Sequence, residues 1–232
     1  MGTPVTYELD GDIATITMDD GKVNALSPEM LTGVDAALDR AAADRAPVVL
    51  TGRDAVFSAG FHLPTLRGGG PEARDMVRAG FELAVRMLSF PMPVVIACPG
   101  HAIAMAVFLL QSGDYRVGAG GPYKITANEV GIGITMPRAA IEICRQRLAP
   151  GHFNRAMINA EVYTPDEAVE AGFLDRVVPP SELDAAARQV AGELGELDPD
   201  AHAATKLAVR DEALRAIRAG IEADAGGLRT TA

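Results

Sequence analysis

Two short apolar runs, VVLTG at 48–52 and VVIAC at 94–98, do most to limit what this chain can become. Each is a β-branched run too short for a helix, so each reads as a strand buried on both faces. Each also follows a stretch with helical spacing. Ser27 offers an N-cap with Pro28 at the first helical position, and MLTGVDAALDRAAA continues from there. Residues 75–90 repeat the pattern until Pro91 and Pro93 break it. Ahead of both lie two candidate strands, 5–9 and 13–18, joined at Asp10-Gly11-Asp12. Strand, helix, strand, helix, strand implies an α/β fold with right-handed crossovers.

The remainder reads less regularly. Residues 53–63 read as a loop, and 66–75, with Gly68, Gly69, Gly70 and Pro71, as a flexible surface segment. Pro99-Gly100 turns the chain into an apolar helix over 101–111. Short strands are expected at 115–117 and 123–126, and helices at 136–148, 152–160, 165–171, 182–196 and 201–223. The division is an α/β core over 1–180 and a helical region over 181–232.

Composition narrows the function. The formal net charge is −10, which leaves no basic face for duplex nucleic acid. A polyanionic ligand would need a local basic spot such as Lys22 or Arg67. The opening MGTPVTYELDGD has no basic or apolar leader pattern, and no apolar run is long enough to span a bilayer. Cys98 and Cys144 lie in apolar stretches and read as buried free thiols, so the expected location is cytoplasmic. His62, His101, His152 and His202 are far apart, with no ligand spacing for a metal. Ser58 lacks the Gly-x-Ser-x-Gly context, and the glycine triplet lacks the Gly-Lys-Ser/Thr of a phosphate loop.

Three segments carry chemistry, each with a plainer alternative. In FSAGFHL, 57–63, small residues let backbone approach a ligand, and Gly60 permits unusual dihedrals; an ordinary strand-to-loop turn would look the same. In CPGHAIAMAVFLLQSGDYR, 98–116, a helix start could aim unpaired N–H groups at an oxyanion, or the segment could be a core helix. In ITANEVGIGITMP, 125–137, Glu129 is the only charged residue, so burial would raise its basicity; a solvent-facing Glu is the alternative.

Together these segments resemble the crotonase superfamily, the enoyl-CoA hydratase/isomerase family, over nearly the whole chain. The further matching pieces are DDGKVNAL, Asp114-Tyr115-Arg116, and Thr164-Pro165-Asp166-Glu167-Ala168 with Gly172-Phe173-Leu174-Asp175-Arg176-Val177-Val178. The resemblance implies a ββα spiral core with a helical C-terminal portion, an acyl-CoA thioester substrate, and no cofactor beyond its CoA moiety. It implies backbone N–H donors at Phe61 and Met105 that hold the thioester oxygen. It implies CoA contacts around Lys22, Val23, Ala25, Ser58, Ala59 and Gly60, and a homotrimer or dimer of trimers. Two positions depart from the pattern. The triple glycine is Ala104-Met105-Ala106, whose bulkier Met would reshape the acyl pocket, and one of the two hydratase glutamates is Phe108. Glu129 matches the other. One base suffices for a 1,3-proton shift, so an enoyl-CoA isomerase-type shuttle is favoured. The alternatives are hydration of a 2-enoyl-CoA and acyl-CoA binding without turnover.

Overall fold

The computed structural model describes residues 3–224. Strands β1 (Val5–Asp10) and β2 (Ile13–Met18) form an antiparallel hairpin, with Gly11 at φ +60° in its turn. Strands β3 (Val48–Thr51) and β4 (Ala55–Ser58) come next, followed by β5 (Val94–Cys98) and β6 (Gly100–Ile103). Then follow β7 (Tyr115–Ala119), β8 (Ile125–Thr126) and β9 (Arg176–Val178).

These strands make two sheets. The larger has six strands in the order β1-β2-β3-β5-β7-β9, parallel from β2 onward; the smaller has three parallel strands, β4-β6-β8. Three times the chain leaves the large sheet, turns sharply, and adds a strand to the small one. Each time it then enters a helix: α2 (Leu63–Gly68) and α3 (Gly70–Leu88), α4 (Met105–Gln111), and α5 (Arg138–Arg145). This repeat is the expected ββα spiral. Its turns are tight enough to require glycine. A Cβ on Gly100 would lie 1.9 Å from Ala55 O, and one on Gly52 would lie 2.2 Å from Val56 O.

The continuous apolar character of β3 and β5 follows from burial on both faces. Val48, Leu50, Val94 and Ile96 face the main core with α1 (Pro28–Asp44), α3 and α4. Val49, Val95, Ala97 and Val117 face a second core under α8 (Leu183–Gly195), where Leu183, Ala187 and Val190 cover them. Each fully buried aliphatic side chain contributes roughly 1.5–3 kcal/mol of transfer free energy. Ser27 caps α1 by accepting from Met30 N at 3.1 Å. Thr164 and Glu167 close a capping box on α7 (Pro165–Ala171).

Helix α9 (Pro199–Asp224) crosses α5 so closely that a Cβ on Gly220 would lie 2.6 Å from Ala139 N. The Asp-Tyr-Arg motif explains how the remaining pieces are pinned. Asp114 accepts from Val94 N at 2.7 Å and from Lys206 of α9 at 2.6 Å, and pairs with Arg210 at 2.9 Å. Arg116 holds Asp175, just ahead of β9, at 2.6 Å. Of the helical region expected at 181–232, the last eight residues lie outside the described ones.

Three expectations need correction, and one strand was missed. The loop at 53–63 contains β4, whose four residues gain ladder bonds only from distant β6. The segment at 66–75 is not loose: α3 begins at Gly70, with Pro71 in its first turn. The apolar run at 101–111 is a strand before it is a helix, because Ala102 N bonds Lys124 O at 3.0 Å and Ala104 N bonds Thr126 O at 2.9 Å. Strand β9 was not foreseen, since three residues give no readable period.

Candidate active site

The site is built on the carboxyl ends of the small sheet. Phe61, Met105 and Glu129 each lie two or three residues beyond β4, β6 and β8. A cavity of about 700 Å³ opens there, lined by Phe61, Ile103, Ala104, Phe108 and Glu129 among others.

The first wall is a braced loop. Ser58 is fully buried; its hydroxyl donates to Asn24 O at 2.6 Å and accepts from Gly60 N at 3.1 Å. Asn24, also buried, donates to Met18 O and Phe57 O. Ala59 N donates to Val23 O, Leu26 N to Gly60 O, and His62 N to Leu26 O. These bonds skip Phe61, whose N–H has no partner among the described residues. Gly60 has φ +86°, and a Cβ there would lie 2.8 Å from Ile103 O and 3.3 Å from Met105 N. The loop therefore presses directly against the start of α4.

The second wall is that helix start. Met105 N is the first amide of α4 and also lacks a partner among the described residues. Ala104 holds φ 56° and ψ −127°, a conformation natural to glycine and strained for alanine. The Met105 side chain is fully buried and does not line the cavity. Its Cε would be 3.4 Å from a Cβ on Gly80, so it packs toward α3. The expected direct reshaping of the pocket by Met105 is thus corrected. Gly80 is itself required: a Cβ there would sit 2.5 Å from the Phe61 ring.

Glu129 precedes a short 3-10 turn, Val130–Ile132, and is 7% exposed. Its Oε2 is buried with no hydrogen-bond partner. Burial pushes its carboxyl up to about 7, against a smaller opposing effect of its own backbone N–H. Phe108 lines the same cavity, fully buried and stacked on Phe81 with ring centroids 6.1 Å apart. Burial, then the nearby Glu129 charge, also pushes the Cys144 thiol upward.

The remaining sequence candidates are accounted for. Lys22 and Val23 are exposed and Ala25 half-buried; they run beside Ala59 but do not line the cavity. Ala59 does line it, whereas Ser58 and Gly60 shape the loop from behind. His62 bonds Thr65 Oγ1 at 3.0 Å, and His101 accepts from Lys124 N at 3.0 Å. Glu82 pairs with Arg78 and Glu142 with Arg145, so neither supplies a second carboxylate to the cavity. Phe81, Ile132, Ile134 and Asn128 line the cavity without having been singled out. Only Asn128, a polar residue beside Glu129, carried any signal in the sequence.

Residues 8–232 match the family described as Enoyl-CoA hydratase/isomerase. A solved enoyl-CoA hydratase/isomerase family protein from Pseudomonas syringae is 46% identical with a TM-score of 0.95, covering 97% of this chain and 98% of its own. The solved Mtb enoyl-CoA isomerase is 48% identical with a TM-score of 0.93, covering 97% and 99%. The probable enoyl-CoA hydratase echA17 of Mycobacterium avium (strain 104) is 28% identical over 182 residues, 77% of this chain and 70% of that protein.

Proposed function

This chain belongs to the enoyl-CoA hydratase/isomerase family of the crotonase superfamily, and within that family we propose that it moves a double bond from C3 to C2 of an acyl-CoA thioester. The observation that carries the reading is that, among the described residues, Glu129 is the one carboxylate lining the cavity, with Phe108 in the same lining where a second acid would be needed.

The N–H groups of Phe61 and Met105 hold the thioester oxygen. As the C2–H bond breaks, its electrons form a dienolate and the oxygen gains negative charge. A well-placed donor lowers such a barrier by roughly 3–4 kcal/mol. Glu129 takes the C2 proton and returns it at C4, so nothing is consumed. Hydration would need a held water as well as a proton for C2, work that two carboxylates share. Phe108 holds no water, and its apolar ring keeps Glu129 desolvated and basic. The segment containing Lys22, Val23 and Ala25 takes the CoA end, outside the cavity.

The test is turnover of a 3-enoyl-CoA labelled with deuterium at C2, beside Glu129→Gln. The expected result is a 2-enoyl product carrying part of its label at C4, and loss of turnover in the variant. Rapid hydration of a 2-enoyl-CoA, with no 3-enoyl conversion, would overturn the reading.

A further inference from the structure

The cavity holding Glu129 is lined by a second charged residue, Arg67. It stands in the last turn of α2, and Leu63 and Leu66 of the same helix also wall the cavity. Of the arginines of the following helix, Arg78 and Arg86 hold carboxylates and Arg74, away from the cavity, holds none among the described residues. Arg67 has no hydrogen bond or ion pair with any described residue. What sets it apart from exposed, unpaired Arg74 is its place on the cavity wall, where its guanidinium is available to a ligand.

Two observations say which end of a ligand it meets. Arg67 forms no ion pair with Glu129, whose buried Oε2 has no hydrogen-bond partner. The two charges therefore stand apart, with Leu66, Phe81, Ile132 and Ile134 among the apolar residues that also line the cavity. The CoA segment, meanwhile, lies outside the cavity and touches the oxyanion loop through Val23 O and Ala59 N. A thioester held at that loop would run past Glu129 along apolar wall and end toward a cation.

We propose that Arg67 binds an anionic group at the far end of the acyl chain, so that the preferred substrates are ω-carboxyacyl thioesters. This rests on the acyl-CoA reading above but not on its proton shuttle. A guanidinium suits a carboxylate because its fork matches both oxygens. A phosphate offers the same chemistry, and CoA carries phosphates, so the experiment must separate the two sources.

Binding is measured by titration calorimetry on the intact chain, using saturated thioesters that cannot isomerise. Succinyl-, glutaryl-, adipoyl- and suberoyl-CoA are compared with butyryl-, valeryl-, hexanoyl- and octanoyl-CoA. At one chain length the carboxylate-ended ester binds about tenfold tighter, as one charged hydrogen-bonded contact allows. Arg67→Met erases that preference and Arg67→Lys keeps part of it. Arg74→Met, exposed on α3 and away from the cavity, keeps all of it. Equal affinities at every length overturn the inference and leave the proton shuttle standing. So does an equal loss in both series with Arg67→Met that vanishes with pantetheine thioesters, since the guanidinium would then serve a CoA phosphate. Failure of 3-enoyl turnover with the carboxylate preference intact overturns the shuttle alone. Failure of both series to bind overturns both readings.

Discussion

Glu129→Gln should stabilise this protein in alkali relative to acid, and the size of the effect follows from where the carboxyl sits. The group is 7% exposed, and burial raises it from 4.5 to about 7. A carboxyl raised in the folded state holds its proton more tightly there than in the unfolded chain. Its contribution is therefore favourable at low pH and is lost as pH rises through the folded value near 7. With these two values, the ionisation cost to the folded state grows by about 2 kcal/mol between about pH 5.5 and about pH 8.5. Glutamine carries no such cost. Its buried amide has an unpaired-group penalty of its own, but that penalty is the same at both pH values and cancels in the comparison.

The assay is urea unfolding of wild type and variant at the two pH values. The gap in midpoint should move in favour of Gln by roughly half to one molar urea on going to the higher pH. Midpoints that keep the same separation at both pH values would refute the reasoning, because Glu129 would then be hydrated or paired in solution. A gap that moves toward Glu would refute it more strongly, since it would mean a cation holds the carboxylate.

Three of the remaining predictions concern the same cavity and its supports. On a 3-enoyl-CoA, kcat/KM should rise about tenfold per pH unit below the Glu129 value near 7 and level off above it, because the proposed shuttle needs the ionised carboxylate as base. Ala104→Gly should stabilise the chain by on the order of 1 kcal/mol in urea unfolding, by relieving a positive φ at a modest entropic cost. Asp114→Ala should destabilise it by roughly 3–5 kcal/mol, because Lys206 and Arg210 would be left buried without their shared partner. Leu207 and Val209 of α9 are 46% and 77% exposed and are suited to a subunit contact. Light scattering should give a trimer or hexamer mass, and Val209→Glu should lower it.

The parts of the fold that were legible are those whose signals are local. Residues 48–51 and 94–98 announce themselves because both faces are buried, under α1 and α3 on one side and α8 on the other. Helix α7 was read to the residue because Thr164 and Glu167 cap it within one turn. The errors fall where a partner far along the chain decides. Strand β4 exists because β6 lies beside it, and His101–Ile103 is extended because Lys124 and Thr126 accept and donate across to it. Glu129 was legible as a lone carboxylate in an apolar segment. Its sharing of one apolar cavity with Phe81 and Phe108, which come from α3 and α4, is something local pattern could not supply. Phe81 was not legible, since a phenylalanine on a helix stripe looks the same whether it faces core or cavity.

The small sheet explains why the three proposed functional groups can be found one at a time yet not located relative to one another. Neighbouring strands in a sheet lie about 4.8 Å apart. Phe61 and Met105 follow β4 and β6, which are adjacent, and Gly60 is packed against the start of α4, so the two amides are brought to the same end of the pair. Two donors that share one oxygen at about 2.9 Å, along directions set by its lone pairs, need nearly the same separation. Glu129 follows β8, one strand further in the same direction. A thioester held by the two proposed donors would have to present its C2 on that side for Glu129 to act as the base. In the proposed reaction, the order β4-β6-β8 would separate the two tasks, charge stabilisation on the first pair of strands and proton transfer on the last. Moving the base into the first pair would cost a donor, and moving a donor past β8 would leave the oxygen half-held. The spacing is a property of the ladder, and the ladder is made of the two strands, β4 and β6, whose sequences hide them.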